Sequence, residues 1–171
     1  LQSDAFNNVA WTKTSCTVTG SAGTSPDGTN DSWTWQRSGT LGAYAFQGVG
    51  KPPSTLAYTF SIYAKAGTGN FLALDLTDSI HSSRAQVTFN ISNGSISILP
   101  GPTGAGAFTG IAATITPSTN GFYRCTLTAV TTTDTQVVAT YSGNSNNVAF
   151  DGTDTLANTT IIVFGAQLEP G

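Results

Sequence analysis

The chain has 171 residues, a length that suits one domain able to enclose a hydrophobic core without metal ions or disulfides. Only 9% of the residues are charged, the six Lys and Arg are scattered singly and the net charge is −3, so no basic stripe is available for a phosphate backbone. No apolar run approaches the roughly 20 residues that span a bilayer. We therefore expect neither nucleic acid nor a membrane as a partner.

The chain opens with LQSDAFNN, which has no initiator Met, no charged n-region and no apolar h-region. Met is absent throughout. We expect residues 1–171 to form a single module that belongs to, or was excised from, a larger protein.

Apolar and polar residues alternate with a period of two along most of the chain, between turns rich in Gly, Pro, Asn and Asp. This pattern indicates an all-β fold. Trp11 is expected to be structural. In SWTWQ (32–36), Trp33 and Trp35 share one face, and the apolar character of the pair predicts that Trp35 lies in the core. Trp33 stands at the entrance of the strand, where rim packing and a ligand-binding platform are both open interpretations.

The segment 56–78, LAYTFSIYAKAGTGNFLALDLTD, contains two alternating runs separated by Gly-Thr-Gly. We predict a hairpin with one face in the core. On the other face Tyr63 and Lys65 would lie across from Phe71 and Asp75, which would form a strip of two rings, an ammonium group and a carboxylate.

Two further hairpins are predicted around Asn-Gly turns, because this dipeptide tolerates positive φ at both central positions. They cover 85–99, with the turn at Asn93-Gly94, and 111–130, with the turn at Asn120-Gly121. In the latter, parity directs Arg124 and Phe122 away from the core.

The remaining strands are predicted at 136–141 and 159–169, with long loops at 20–31, 99–110 and 142–158. Eight to ten strands at this spacing fit two packed antiparallel sheets with Greek-key crossings. We therefore predict an antiparallel β-sandwich with jelly-roll topology.

Three groups of motifs carry a family resemblance: SDAFNNVAWTKTSCTVT with SPDGTND, YTFSIYAKAG with NGFYRCTLT, and FGAQLEPG. Together they resemble a jelly-roll module of phage virion proteins, tail fibres and tailspikes, which is similar to the carbohydrate-binding jelly rolls attached to polysaccharide-degrading enzymes. The resemblance implies a non-catalytic recognition or virion-surface module, located on the virion surface or outside the cell. Phe122 and Phe164 stand where the family usually has Trp, and Trp33 and Trp35 where it commonly has Asp and Leu.

Acid and base groups are sparse. The eight Asp and one Glu show no arrangement typical of paired glycosidase carboxylates, and the single His81 lies in the turn-like DSIHSSR. GxSxG, HExxH, CxxC and P-loop patterns are absent from the sequence. We therefore expect a protein that is not an enzyme and requires no cofactor.

Two oxygen-rich loops suggest a metal. Asp27, Asp31, Asp151 and Asp154 offer the hard ligands that a structural calcium ion prefers, and jelly rolls of the resembled class often carry such an ion. Asp-Gly-Thr is also ordinary turn chemistry, so Asx-turns are the alternative. The sequence also leaves open whether Cys16 and Cys125 form a disulfide. Each lies in an alternating apolar pattern, which suits a buried free thiol equally well.

Sugar binding requires aromatic rings that lie against the C–H face of a pyranose and polar groups that orient its hydroxyls. The candidate ligand-binding residues are Trp33, Tyr63, Lys65, Phe71, Asp75 and Arg124. The leading hypothesis is a carbohydrate-binding module whose partner is a polysaccharide or cell-surface glycan. The rival is a structural virion module, a head-decoration or fibre domain that contacts virion proteins or itself.

Overall fold

The computed structural model describes residues 4–104, 108–148, 150 and 154–171. Regular structure in this part of the chain consists of twelve strands and a 3₁₀ turn at Thr119–Gly121. The strands are β1 (Thr12–Thr14), β2 (Cys16–Gly20), β3 (Trp33–Arg37), β4 (Tyr44–Gly50), β5 (Ala57–Ala66), β6 (Phe71–Thr77), β7 (Ser83–Asn90), β8 (Ser95–Gly104), β9 (Thr109–Pro117), β10 (Tyr123–Val130), β11 (Gln136–Asn144) and β12 (Thr160–Pro170).

The strands form two antiparallel sheets of six. The front sheet has the order β1-β4-β11-β6-β7-β8, and the back sheet has the order β2-β3-β12-β5-β10-β9. The chain crosses repeatedly from one sheet to the other, for example between β3 and β4 and between β10 and β11. The predicted all-β antiparallel sandwich is confirmed. Within the described residues no helix is long and apolar enough to cross a membrane.

The core lies between the sheets and is built by alternation. Residues at every second position of β5, β6, β7 and β10 face inward and are buried, while their neighbours face out. Trp35 is fully buried in this core, and so is Trp11, which stacks on Phe6 with ring centroids 5.5 Å apart. The predicted structural roles of these two tryptophans are confirmed.

The prediction that residues 56–78 form one hairpin is wrong. β5 belongs to the back sheet and pairs with β10 and β12, whereas β6 belongs to the front sheet and pairs with β7 and β11. The connection between them crosses the sandwich, with the Gly69 amide donating to the carbonyl of Thr160. Alternation shows which side chains face the core, but two strands that face each other across a core alternate in the same way as two paired strands.

The two Asn-Gly hairpins are confirmed, since β7 pairs with β8 and β9 with β10. Gly94 has φ 74°, and both Asn120 (φ 56°) and Gly121 (φ 78°) are left-handed. Two strands are longer than predicted: β8 continues to Gly104 and β11 to Asn144.

Both cysteines are free thiols. The Cys16 thiol donates to the carbonyl of Tyr44 over 3.3 Å, and Cys125 is completely buried in the core. Burial raises the pKa of Cys16 to about 11 and raises the pKa of Cys125 as well. Of the two alternatives left by the sequence, the structure has the free thiols, with Cys125 buried and Cys16 partly buried.

Candidate functional site

A pocket of about 160 Å³ opens on the outer face of the front sheet; we call it the front pocket. The four strands β4, β11, β6 and β7 form its floor, and the β6–β7 turn and the β11–β12 connection form its sides. Its lining residues are Tyr44, Phe46, Asp75, Arg84 and Thr140 from the strands, and His81 and Phe150 from the connections.

The floor of the pocket follows from strand register. Phe46 lies directly opposite Thr140, and Thr140 directly opposite Asp75, so the three side chains form one row across β4, β11 and β6. Their sequence neighbours Ala45 and Tyr141 face the other way, into the core. The same alternation that fills the core therefore places an aromatic ring, a hydroxyl and a carboxylate in line on the outer face.

Aromatic rings enclose one end of the pocket. The Tyr44 ring centroid is 6.0 Å from that of Phe46 and 5.8 Å from that of Phe150, and the rings are tilted rather than stacked. Phe46 also meets His81 edge-on at 6.4 Å. Tyr44 and Phe46 are half-buried, so part of each ring faces solvent.

An ion pair forms the opposite end. Arg84 donates from Nη2 to Asp75 Oδ2 over 2.8 Å, and its Nε lies 3.3 Å from the same oxygen. Asp75 is 1% exposed and Arg84 24%, so the guanidinium is the part that solvent or a ligand reaches. The guanidinium carbon also lies 5.6 Å from the Phe150 ring centroid, a cation–π contact that joins the two ends.

The segment that carries Phe150 is tied to the sandwich at two points. Thr88 of β7 donates its hydroxyl to the carbonyl of Val148 over 2.9 Å. Further along, Asp154 accepts hydrogen bonds from the amide and hydroxyl of Ser145 and forms an ion pair with Arg37. Phe150 is therefore held against the sheet at 8% exposure.

The β6–β7 turn presents His81 at the pocket rim. Asp78 organises this turn, because its carboxylate accepts hydrogen bonds from the amides of Ser82 and Ser83 and from the Ser82 hydroxyl. Burial raises the pKa of Asp78, but the hydrogen bonds lower it by more than burial raises it, so the pKa lies below its usual value. His81 has φ 57° and its Nδ1 is 2.9 Å from the Thr77 hydroxyl.

Six of the seven lining residues were not among the predicted ligand-binding residues: Tyr44, Phe46, His81, Arg84, Thr140 and Phe150. The alternation of Tyr44-Ala-Phe46 was the available signal, because it places two rings on one face of a strand. Phe150 carried no signal, since it lies in a connection whose path depends on contacts distant in sequence.

The six predicted ligand-binding residues do not form one strip. Asp75 lies in the front pocket, and Phe71 lies further along the same outer face, half-buried. Trp33 packs against the core, and its indole nitrogen donates to the Asp4 carbonyl over 3.0 Å, which is the rim packing considered above.

Tyr63, Lys65 and Arg124 lie on the outer face of the back sheet, on the other side of the molecule. Lys65 donates to the Asn120 carbonyl over 3.1 Å and lies over the ring of Phe122. Phe122 lies outside the core cluster, as predicted, but it is buried rather than exposed.

Of the predicted metal ligands, the structure describes Asp27, Asp31 and Asp154, and they do not lie together. Asp27 and Asp31 lie in the β2–β3 connection, whereas Asp154 lies beside Arg37 at the far end of β3; Asp151 lies outside the described residues. The Asp27 carboxylate accepts from the Thr29 amide over 2.9 Å, which is the predicted Asx-turn. The residues described contain no group of three or more His, Cys, Asp or Glu that could hold a metal ion.

These features define the class of the protein as a two-sheet antiparallel β-sandwich with a pocket on one outer sheet face. No family model matches the chain, and no curated protein matches it. Among solved structures it is similar to the enzymatically active domain of tailspike protein 4 of bacteriophage CBA120, with a TM-score of 0.52 and 17% identity, covering 99% of this chain and 20% of that one.

Two further structures are similar at lower scores. They are a CBM4 structure (TM-score 0.47, 14% identity, 98% of this chain and 84% of that one) and an exo-β-agarase (TM-score 0.43, 8% identity, 96% and 24%). The chain thus spans a fifth of the tailspike domain structure that it matches. At 17% identity the likeness to the tailspike domain shows the fold alone.

Proposed function

We propose that the protein is a non-catalytic carbohydrate-binding module of a phage or phage-like surface protein, and that the front pocket holds the sugar. The single observation that carries this proposal is the pairing of two half-buried rings, Tyr44 and Phe46, with the Asp75–Arg84 ion pair in one pocket. A pyranose presents an apolar C–H face and a rim of hydroxyls, so it needs both kinds of surface close together.

The polar groups suit hydroxyl recognition. The Arg84 guanidinium and the His81 ring provide hydrogen-bonding nitrogens in the pocket lining, and Asp75 fixes the orientation of Arg84. A volume of about 160 Å³ is below the roughly 300 Å³ at which drug-sized ligand pockets begin. The pocket would therefore take one part of a polysaccharide, while the rest of the glycan lies along the sheet face.

The non-catalytic role rests on the chemistry of the lining. Glycoside hydrolysis ordinarily uses two carboxylates that flank the scissile bond. Among the described lining residues Asp75 is the one carboxylate, and it is buried beneath Arg84. Binding alone, made stronger by multivalent display on a virion surface or other extracellular assembly, fits this arrangement and needs no cofactor.

Native gels containing a panel of neutral polysaccharides test the proposal. We expect at least one polysaccharide to retard the wild-type protein, and Tyr44→Ala and Phe46→Ala to abolish that retardation. Phe164→Ala, which removes a ring from the opposite face, is the matched control and should leave it unchanged. Release of reducing ends would instead indicate an enzyme, and retardation by no polysaccharide would reject glycan binding.

One observation favours the rival function, a structural virion module that makes protein contacts. Ile80 is 77% exposed beside His81 at the pocket rim, where a protein partner would cover it and a sugar would not. Under this alternative Ile80→Ser should reduce self-association or binding to a virion protein in analytical ultracentrifugation. Under the leading proposal the same variant should bind glycan as the wild type does.

A further inference from the structure

A second group of side chains with binding chemistry lies on the opposite outer face of the molecule. Phe164 of β12 is directly opposite Tyr63 of β5, and Tyr63 is directly opposite Arg124 of β10. We call these three residues the back strip. Neighbouring strands are about 4.8 Å apart, so the row crosses about 10 Å of the sheet, and each of its members is half-buried.

A bulge in β12 sets the geometry of the two rings. The register of β12 against β5 shifts between Phe164 and Gln167, and Gly165 adopts φ 57°, a left-handed conformation that favours glycine. The rings of Tyr63 and Phe164 lie 6.2 Å apart at an angle of 52°. Arg124 completes the row on the other side of Tyr63.

Arg124 is bonded unlike the other two arginines of the chain. Arg37 and Arg84 both form ion pairs, whereas within the described residues Arg124 has no carboxylate within 4 Å. Its hydrogen bond from Nη2 to the Ser61 hydroxyl is long, at 3.4 Å, and its Nε is buried without an acceptor. A guanidinium in this state gains strongly from a carboxylate that reaches its terminal nitrogens.

The surroundings do not neutralise this charge. Lys65 adds a second cation two residues further along β5. Glu169 is an acid on the same face, and it lies opposite Thr59 of β5. Because Thr59 is four residues from Tyr63 along this strand, Glu169 is about 14 Å from the back strip. The hydroxyls next to the strip are paired with each other, Thr59 with Thr128 over 2.8 Å and Thr114 with Thr126 over 2.7 Å.

We propose that the back strip is a second binding site, separate from the front pocket and independent of it, for an acidic sugar of the uronic acid class. The C–H face of the sugar lies on Tyr63 and Phe164, and its carboxylate accepts hydrogen bonds from Arg124. A uronic acid combines an apolar ring face with a single carboxylate, which matches two rings and one under-bonded guanidinium. Two cations and a net charge of −3 give too little positive charge for nucleic acid.

Native gels cast with polygalacturonate, alginate or hyaluronan test this site, with methyl-esterified polygalacturonate as the uncharged counterpart and polyglutamate as a polycarboxylate without sugar. We expect a polyuronate to retard the wild-type protein, and methyl-esterified polygalacturonate and polyglutamate to retard it little or not at all. Arg124→Gln and Tyr63→Ala should weaken the interaction at least tenfold. Lys13→Gln makes the same charge change elsewhere and should bind as the wild type does.

The remaining outcomes overturn the proposal. Retardation by none of the three polyuronates excludes the site, and equal retardation by polyglutamate assigns it to acidic peptides. Loss of polyuronate binding in Phe46→Ala, with Arg124→Gln unchanged, moves the acidic ligand to the front pocket. Circular dichroism and urea unfolding of each variant identify folding defects, and if Tyr63→Ala fails to fold, Arg124→Gln decides the question.

Discussion

Arg37 and Asp154 form a completely buried ion pair, with Arg37 Nε 3.6 Å from Asp154 Oδ2 and side-chain exposures of 1% and 0%. Arg37 ends β3, and Asp154 lies in the connection that leads to β12, beyond Phe150. Arg37 also donates to Asn144 Oδ1 over 2.9 Å, at the end of β11. The pair therefore fastens the segment that forms one wall of the front pocket to the two sheets.

Removing one partner of this pair should be costly, because the other charge stays buried without compensation. We expect Arg37→Met or Asp154→Asn to lower the free energy of unfolding by about 3 kcal/mol each. The double variant should lose clearly less than the sum of the two, because it leaves no isolated charge. Urea unfolding followed by tryptophan fluorescence measures these values, and strictly additive losses would contradict the coupling.

Acid should destabilise the protein through its hydrogen-bonded carboxylates. Burial raises the pKa of Asp154, but the hydrogen bonds from Ser145 and Leu156 and the charge of Arg37 outweigh burial, so the net shift is downward. The pKa of Asp78 is lowered in the same way by hydrogen bonds from Ser82 and Ser83. A carboxyl whose folded pKa is below its unfolded value of about 3.9 stabilises the fold above that value and loses this effect as the pH falls through the folded pKa.

We therefore expect a constant free energy of unfolding between about pH 5 and pH 7 and a decline below about pH 4. Urea unfolding at pH 7, 5, 4 and 3 gives the profile. Asp154→Asn, which cannot titrate at this position, should show a smaller decline than the wild type. Identical slopes in the two proteins would mean that Asp154 does not contribute to the acid sensitivity.

Phe150 should matter for both stability and binding. It is 8% exposed and packs against Tyr44 and Arg84, so Phe150→Ala should lower the free energy of unfolding by roughly 1.5–3 kcal/mol and weaken glycan binding at the front pocket. Phe150→Leu keeps most of the apolar volume and is the control. Glycan affinity that is equal in the wild type and in a folded Phe150→Ala protein would show that this wall does not contact the ligand.

The two cysteines should be inert while the protein is folded. Because burial raises the pKa of Cys16 to about 11 and raises that of Cys125, little reactive thiolate exists at neutral pH. We expect a thiol reagent such as DTNB to label neither residue at pH 7.5 in the native protein, and to label both in urea without reductant. Unlabelled cysteines in urea, which become reactive only after reduction, would reveal a disulfide.

Much of the fold could be predicted from local pattern. The Asn120-Gly121 turn shows why: a hairpin is decided by neighbours in sequence, and this dipeptide accepts the two left-handed conformations that the turn requires. Trp35 was predicted correctly because alternation in β3 and its apolar character both direct it inward. For the same reason the outward direction of Tyr63 and Arg124 followed from parity alone.

The sequence by itself determined the class of fold, the turns and the inward or outward direction of most strand residues, because these depend on alternation and on a few residues with special backbone preferences. Apart from the two Asn-Gly hairpins, only the tertiary structure decided which strands are partners. It placed Asp75 and Tyr63 on opposite faces, and it brought Tyr44, Phe150 and Arg84 together from three distant segments. Binding sites on a sandwich are assembled across strands, and strand order is set by the packing of the whole core rather than by any local stretch.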